Sequence, residues 1–160
     1  PKVYGGFNTS LSWKGFDLSA IFAYSIGGYI YNRDITMILH NGSLEGRDWS
    51  TEILKRWTPE NRYTDVPALS TTSNNWNSAS TRFLQNNSYM RLKNLTLSYD
   101  LPKQWISKLA LSSVQVFVQG DNLFTIHRNQ GLDPEQGITG ITYYRYPAMR
   151  TISGGINLSF

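Results

Sequence analysis

The chain has 160 residues, enough for one domain with a hydrophobic core. Charged residues make up only 16% and aromatic residues 14%, yet the mean hydropathy of −0.37 is not that of an apolar protein. The absence of cysteine excludes disulfides, thiol catalysis and cysteine metal sites. The net charge of +4 comes from scattered basic residues, so the sequence does not indicate nucleic-acid binding.

No stretch has the roughly 18 successive apolar residues of a transmembrane helix. This pattern leaves a membrane location open, since the strands of a transmembrane barrel alternate apolar and polar residues. The chain begins Pro1-Lys2-Val3-Tyr4, with no initiator methionine and no signal peptide, and a strand pattern follows at once. We therefore expect it to be part of something larger.

Residues 3–13 alternate between apolar and small polar side chains, which predicts a β-strand. Lys14-Gly15 is a two-residue signal for a tight hairpin turn, and residues 16–31 are predicted to form the second strand, with Ile21 breaking the alternation. Residues 32–87 are rich in Gly, Pro, Ser, Thr and Asn, which predicts an irregular segment.

Within that segment, residues 48–57 are predicted to form a short helix. Asp48 or Ser50 would cap it and Pro59 would stop it. Trp49, Ile53 and Trp57 are spaced i, i+4, i+8, so they would share one face of the helix.

Three further strands are predicted, at residues 88–101, 113–126 and 150–160. Between the first two, a short connection over 102–112 would place Trp105, Ile106 and Leu109 on one helical turn. A long loop over 127–149 leads to the last strand. One face of that strand carries Ile152, Gly154, Ile156, Leu158 and Phe160, and the other carries Thr151, Ser153, Gly155, Asn157 and Ser159.

The predicted fold class is all-β, with five antiparallel strands whose connections are alternately short and long. Short turns on one side and long loops on the other are typical of an outer-membrane β-barrel, and an odd strand number would leave that barrel incomplete. A soluble β-sandwich, for example a carbohydrate-binding module, is the alternative, and a small complete porin is disfavoured by the odd number. Aromatic residues near strand ends would form interfacial girdles in a barrel or fill a sandwich core: Tyr4, Trp13, Phe16, Tyr24, Tyr29, Tyr31, Tyr89 and Tyr99.

Five blocks of the sequence resemble the SusC/RagA family of TonB-dependent outer-membrane transporters. They are YGGFNTSLSWKGFDLS (4–19), RWTPENRYTDVP (56–67), NNSYMRLKNLTLSYDLP (86–102), GDNLFTI with GLDPE (120–126 and 131–135), and RYPAMRTISGGINLSF (145–160). The resemblance implies a 22-stranded transmembrane barrel, of which residues 1–160 would be the C-terminal segment, with the plug and the earlier strands absent.

The resemblance also implies a function and a set of partners. Family members sit in the outer-membrane lipid of Gram-negative bacteria and import glycans or oligopeptides, with a SusD-like surface lipoprotein as a lid and TonB acting through the plug. No enzymatic activity and no cofactor are implied. The terminal Ile156, Leu158 and Phe160 resemble the signal that the barrel-assembly machinery reads, although Phe160 could also act only as an interfacial anchor.

The sequence offers little for catalysis or metal binding. His40 and His127 have no metal-ligand spacing, and both are expected to be solvated at loop bases. Asp133 is expected to form an Asx-type turn rather than a carboxylate pair with Glu135. The pairs Gly5-Gly6, Gly27-Gly28 and Gly154-Gly155 are interpreted as lying within strands, not in a phosphate loop.

Aromatic residues in the predicted extracellular loops are the candidates for substrate contact. They are Trp49, Trp57, Trp76, Tyr63, Tyr143 and Tyr144, accompanied by Arg62 and Arg145. Aromatic faces next to hydrogen-bonding groups suit sugar rings or peptide side chains. Alternatively, these residues pack the loops together or against the lid.

Overall fold

Eight strands are found in the residues that the computed structural model describes, which are 1–42, 44–72, 78–107, 111–129, 133–135 and 139–160. In chain order they are β1 (Val3–Trp13), β2 (Phe16–Ile26), β3 (Tyr29–Asn32), β4 (Leu84–Asn86), β5 (Tyr89–Asp100), β6 (Ser113–His127), β7 (Ile141–Thr142) and β8 (Thr151–Ser159). The helices are α1 (Arg33–Ile38) and α2 (Lys103–Ile106), with 3-10 helices at Thr51–Lys55 and Thr81–Phe83.

The chain divides into two units. The first comprises residues 1–28, 87–129 and 147–160, and the second comprises 29–86 and 130–146. The first unit is one antiparallel sheet in the order β1-β2-β5-β6-β8, so the five predicted strands pair as successive neighbours. No helix in the described part of the chain is long and apolar enough to cross a membrane.

The register of this sheet places like residues opposite each other. Phe7 of β1 pairs with Phe22 of β2, and their rings stack at 4.7 Å. Farther along the sheet, Leu97 of β5 lies opposite Val118 of β6. Because side chains alternate along a strand, this pairing sorts apolar residues onto one face and polar residues onto the other.

The predicted hairpin turn between β1 and β2 is confirmed. Lys14 and Gly15 both have positive φ, at 48° and 87°, as a type I′ turn requires. The Gly15 carbonyl accepts a hydrogen bond from the Asp100 amide at 2.8 Å. A side chain on Gly15 would meet the Asp100 carbonyl oxygen at 3.1 Å, so glycine suits this position for space as well as for φ.

The prediction of one strand over 16–31 is wrong. β2 ends at Ile26 because Gly27 and Gly28 both take positive φ, 76° and 86°, which turns the chain out of the sheet. Residues 29–32 instead form the central strand of a second sheet, ordered β4-β3-β7, in which β3 and β7 are parallel. Gly27-Gly28 therefore lies outside the strands, whereas Gly5-Gly6 and Gly154-Gly155 lie within β1 and β8 as predicted.

The predicted helix over 48–57 is also wrong in length and type. It is a 3-10 helix over Thr51–Lys55, capped by Ser50, whose hydroxyl accepts the Glu52 amide at 3.3 Å. The Asn61 side chain donates to the carbonyl oxygens of Lys55 and Arg56 at 3.0 and 3.3 Å. In a longer helix these oxygens would accept hydrogen bonds from backbone amides of the next turn. Ile53 is buried against Val66, while Trp49 and Trp57 fall outside the helix.

Two smaller expectations also change. Ile106 of α2 is buried and Trp105 is exposed, so these neighbours do not share a face, and Leu109 lies outside the described residues. Among the predicted girdle residues, Tyr4 and Tyr89 lie on the polar face of the sheet, and Tyr29 and Tyr31 belong to β3.

Replacing Gly6 tests the close approach of β1 to β2. A Cβ on Gly6 would lie 2.8 Å from the Phe22 carbonyl oxygen, a backbone atom that cannot turn aside. We expect Gly6→Ala to destabilise the whole protein by about 1–2 kcal/mol, measured as the shift of its unfolding midpoint in denaturant. Asn8→Ala, at an exposed position on the same face, is the control and should stay within about 0.5 kcal/mol. Equal midpoints for the two variants would contradict the steric argument.

Candidate binding surface in the loop unit and the two faces of the sheet

One face of the five-stranded sheet is apolar and open. Each of the five strands contributes large apolar residues to this face that expose between 39 and 72% of their surface to solvent. These residues are Val3, Phe7, Leu11, Trp13, Phe16, Leu18, Ile26, Leu97, Val116, Val118, Phe124, Ile126, Ile152, Ile156 and Leu158. No position that the register places on this face carries a charge. A soluble protein rarely exposes so large a contiguous apolar surface, so this face requires an apolar partner.

The opposite face of the sheet is a hydrogen-bonded polar surface. Asn94 donates to Asp121 at 2.8 Å, and Gln119 reaches the same carboxylate at 3.1 Å. Near the turn end, Gln115 donates to Asp100 at 3.0 Å and accepts from Asn157 at 3.2 Å. These ladders run across strands, which is what a water-lined surface allows and a hydrocarbon environment does not.

Two glycines in the sheet are covered by large side chains. A Cβ on Gly155 would lie 2.8 Å from the Phe117 ring, and one on Gly5 would lie 3.0 Å from the Tyr24 hydroxyl. Phe117 and Gly155 are cross-strand neighbours, so the aromatic ring fills the space that the glycine leaves.

In the second unit (residues 29–86 and 130–146), called the loop unit below, two tyrosines and two arginines form a contact cluster. The rings of Tyr143 and Tyr144 lie 4.5 Å apart at an interplanar angle of 58°. The Arg33 guanidinium lies over the Tyr143 ring at 4.7 Å, and Arg47 donates to the Tyr144 hydroxyl at 3.0 Å. Together with Arg145, which lines a depression of about 300 Å³ beside Tyr144 and Tyr146, these residues are called the Tyr–Arg cluster below.

Asp34 holds this cluster in place. Its carboxylate accepts the Tyr144 amide at 3.0 Å and the Thr142 hydroxyl at 3.3 Å, so the start of α1 is tied to the segment after β7. Tyr144 has a φ of +46°, in the left-handed region that a bulky residue rarely adopts. Such a conformation costs of order 1–3 kcal/mol and persists because hydrogen bonds on both sides fix it.

The other predicted aromatic residues lie in separate contacts. Trp49 packs edge-on against His40 at 5.4 Å, and the Trp57 amide donates to the Val66 carbonyl at 2.8 Å. Both indoles are exposed, as is Tyr63. Arg62 donates to the Pro59 carbonyl at 2.9 Å, which closes its own turn. Trp76 lies outside the described residues.

The expectation that both histidines are solvated is half wrong. His127 is exposed at the end of β6, but His40 is only 1% exposed, because Trp49 and the Leu44 turn enclose it. In the described part of the chain no cluster of histidine and carboxylate side chains is placed to hold a metal ion. The Asx turn at Asp133 is confirmed, since its carboxylate accepts the Glu135 amide at 2.9 Å.

A cleft of about 330 Å³ lies elsewhere in the loop unit. Asp34, Glu52, Asp65 and Arg82 line it above apolar residues that include Phe83. Burial lowers the pKa of the Arg82 guanidinium and the Asp65 carboxylate opposes that effect, while Glu52 pairs with Lys55 at 2.7 Å. The charged groups of the cleft thus largely face opposite charges within the same unit. The Tyr–Arg cluster is therefore the better candidate for a ligand-binding site.

Sequence reasoning found Tyr143, Tyr144 and Arg145 but missed Arg33, Arg47 and Asp34. These three lie about a hundred residues from the tyrosines they contact, with separations of 97 and 110 for Arg47 and Asp34. No local pattern marks them, because only the parallel pairing of β3 with β7 brings the two loops together.

Comparison with known proteins matches the whole chain to one kind of receptor, although no family model matches it. TonB-dependent receptor P3 of Formosa agariphila is 33% identical over all of this chain, and TonB-dependent receptor SusC of Bacteroides thetaiotaomicron is 28% identical over 99% of it. A solved structure of the RagAB peptide transporter matches with a TM-score of 0.86 and 35% identity over 98% of this chain. The chain belongs to the SusC/RagA family of TonB-dependent receptors.

The chain spans 15 to 17% of the length of the SusC/RagA relatives that it matches. A second RagAB structure, of the peptide importer in its open-open state, matches with a TM-score of 0.85. The family resemblance drawn from the sequence is therefore confirmed, and the fold of the chain matches a fragment of a receptor barrel.

Removing the Asp34 carboxylate should loosen the Tyr–Arg cluster. Asp34→Ala leaves the Tyr144 amide without its charged acceptor, and a hydrogen bond to a charged group contributes about 1.5–3 kcal/mol. We expect amide exchange in peptides covering 141–146 to become at least about tenfold faster in the whole receptor, measured by hydrogen–deuterium exchange. Glu60→Ala, an exposed position in the same unit, should leave exchange in these peptides unchanged. Unchanged exchange in Asp34→Ala would show that the cluster is held by other contacts.

Proposed function

We propose that this chain forms the C-terminal part of the barrel wall, with two extracellular loops, in an outer-membrane TonB-dependent importer of large nutrients. The observation that carries the proposal is the continuous, uncharged and exposed apolar face of the five-stranded sheet, backed by a polar hydrogen-bonded face. Lipid covers such an apolar face in a membrane, and a water-filled or plugged lumen suits the polar one.

The length of the strands fits a bilayer. β1 and β2 have 11 residues each, and at about 3.4 Å per residue they extend for roughly 35 Å. Tilted by about 45°, as strands of such barrels are, they would cover about 25 Å, the height of the apolar band in outer-membrane barrels.

The sheet also fits a partial wall. β1 and β8 are its edge strands, and unpaired strand edges are not tolerated in hydrocarbon. In the proposed receptor both edges pair with strands outside these 160 residues, which closes a barrel that has 22 strands in this family.

The connections give the proposed orientation. The Lys14-Gly15 turn and the connection between β5 and β6 leave one end of the sheet, where Trp13, Phe16 and Tyr99 form an aromatic group and the Phe16 and Tyr99 rings lie 4.3 Å apart. This end would face the periplasm, with the exposed Phe160 at the inner interface, where the assembly machinery would read Ile156, Leu158 and Phe160. The long connections leave the opposite end and would face outward.

The proposed partners and substrate are those that the family resemblance implies. A SusD-like lipoprotein would close over the outside, and TonB would act through the plug. RagAB, whose structures match this chain with TM-scores above 0.8, is described as a peptide importer. This supports an oligopeptide as the proposed cargo, and the family resemblance adds a glycan as the other proposed cargo. Trp49, Trp57, Trp76, Tyr143, Tyr144 and Arg145 remain the proposed contact residues.

A charge on the apolar face tests the membrane assignment. Val118 lies near the middle of β6 on this face, and Gln119 lies beside it on the polar face. An arginine at the bilayer midplane costs about 2–4 kcal/mol, so Val118→Arg should lower the amount of heat-modifiable, folded receptor in outer-membrane fractions. Gln119→Arg is the matched control and should assemble normally, since Asp121 is within reach.

Two results would overturn the proposal. One is equal assembly of the Val118→Arg and Gln119→Arg receptors. The other is a receptor that stays folded and monodisperse in plain buffer without detergent, because a sheet with this apolar face would then have to be covered by protein, as in a soluble sandwich.

A further inference from the structure

The Tyr–Arg cluster carries positive charge that the described part of the loop unit does not neutralise. We propose that Arg33, Arg47 and Arg145 bind carboxylate groups of an acidic oligopeptide, with Tyr143 and Tyr144 holding the guanidinium groups in position. This inference rests on the proposed import function and restricts the proposed cargo to acidic oligopeptides.

The positive charges of the cluster exceed the negative charges that contact it. Among the described residues, no carboxylate forms an ion pair with any of these three guanidinium groups, whereas Lys55 in the same unit pairs with Glu52 at 2.7 Å. Asp34 is the acidic residue in contact with the cluster, and its oxygens accept from the Tyr144 amide and the Thr142 hydroxyl. The cluster therefore presents three cations against one carboxylate that is already hydrogen-bonded.

The two tyrosines contact the arginines and each other. A sugar ring stacks on an open aromatic face, but the Arg33 guanidinium lies over the Tyr143 ring at 4.7 Å and the Tyr144 ring lies 4.5 Å from it. The Tyr144 hydroxyl is engaged by Arg47 at 3.0 Å. Both tyrosine side chains stay partly exposed, Tyr143 at 47% and Tyr144 at 61%. The charged groups that the cluster offers a ligand are guanidinium N–H donors, which suit a planar carboxylate better than a neutral sugar.

The three guanidinium groups have N–H donors left for a ligand. A guanidinium has five N–H donors, and Arg47 uses one of its two terminal nitrogens for Tyr144. Within the described residues Arg33 makes a cation–π contact and Arg145 lines the depression beside Tyr144 and Tyr146. All three side chains are exposed, so bidentate binding of a carboxylate is sterically open.

The backbone supports a preorganised site. Tyr144 is held at a φ of +46° by the Asp34 carboxylate at its amide and by Arg47 at its hydroxyl. Strained residues that surrounding contacts fix in this way cluster at ligand sites, because a rigid arrangement loses less freedom on binding. An oligopeptide with spaced acidic side chains could engage the three arginines together.

The test measures binding to the whole receptor in detergent by fluorescence anisotropy. The probes are a fluorescein-labelled decapeptide rich in glutamate and its counterpart with glutamine at every glutamate position. We expect the acidic peptide to bind at least about tenfold more tightly, and Arg33→Gln, Arg47→Gln and Arg145→Gln each to reduce that preference. Arg56→Gln, in the same unit but outside the cluster, should leave it unchanged.

Arg145→Gln guards against a folding artefact, since Arg145 has no hydrogen bond within the described residues whose loss could unfold the loops. Equal binding of the two peptides, or unchanged binding by all three cluster variants, overturns the inference. Tighter binding of an oligogalacturonate, a carboxylated glycan, than of the acidic peptide also overturns the inference, because the cargo would then be a glycan. A receptor that assembles and imports peptides yet binds both probes equally overturns this inference while leaving the proposed function intact.

Discussion

In the five-stranded sheet, each residue on the apolar side is paired with a residue that faces the same side, because the side-chain period of a strand is two. A slip of one residue between any two strands would move polar side chains such as Gln119 onto the apolar face. The stacked pair of Phe7 and Phe22 and the pair of Leu97 and Val118 hold the register against such a slip. The two chemically distinct faces, and with them the membrane assignment, depend on this register.

The register survives one irregularity. The register between β5 and β6 shifts between Leu92 and Asn94, which pair with Phe124 and Asp121. On β6, Asn122 lies at this shift and has a φ of 51°. This bulge lets Leu92 and Leu95 both lie on the apolar face although they are three residues apart. Leu123 lies over Gly120 at this point, where a Cβ would come within 2.7 Å of it. Bulges increase local twist, which a sheet needs if it is to curve into a wall.

The loop unit is held by a different kind of contact. Its short strands β3 and β7 are parallel and come from two connections that lie far apart in the chain. Asp34 adds hydrogen bonds to Thr142 and Tyr144, and Arg47 adds one to the Tyr144 hydroxyl. Polar contacts of this kind fix the direction of side chains more narrowly than apolar packing does, which suits a surface that has to present charged donors to a ligand.

The five long antiparallel strands, the hairpin at Lys14-Gly15, the Asx turn at Asp133 and the family could be predicted from the sequence, because each depends on residues that are close in the chain. Alternation could not show that Gly27 and Gly28 end β2, since glycine is compatible with a strand until its φ is known. It also could not show that His40 is buried within a loop. Nor could it show that the helix ends at Lys55, whose carbonyl oxygen accepts a hydrogen bond from the side chain of Asn61, six residues later. That Arg33, Arg47 and Asp34 contact Tyr143 and Tyr144 is visible only in the folded protein, because these contacts join residues about a hundred positions apart and leave no periodic pattern in the sequence.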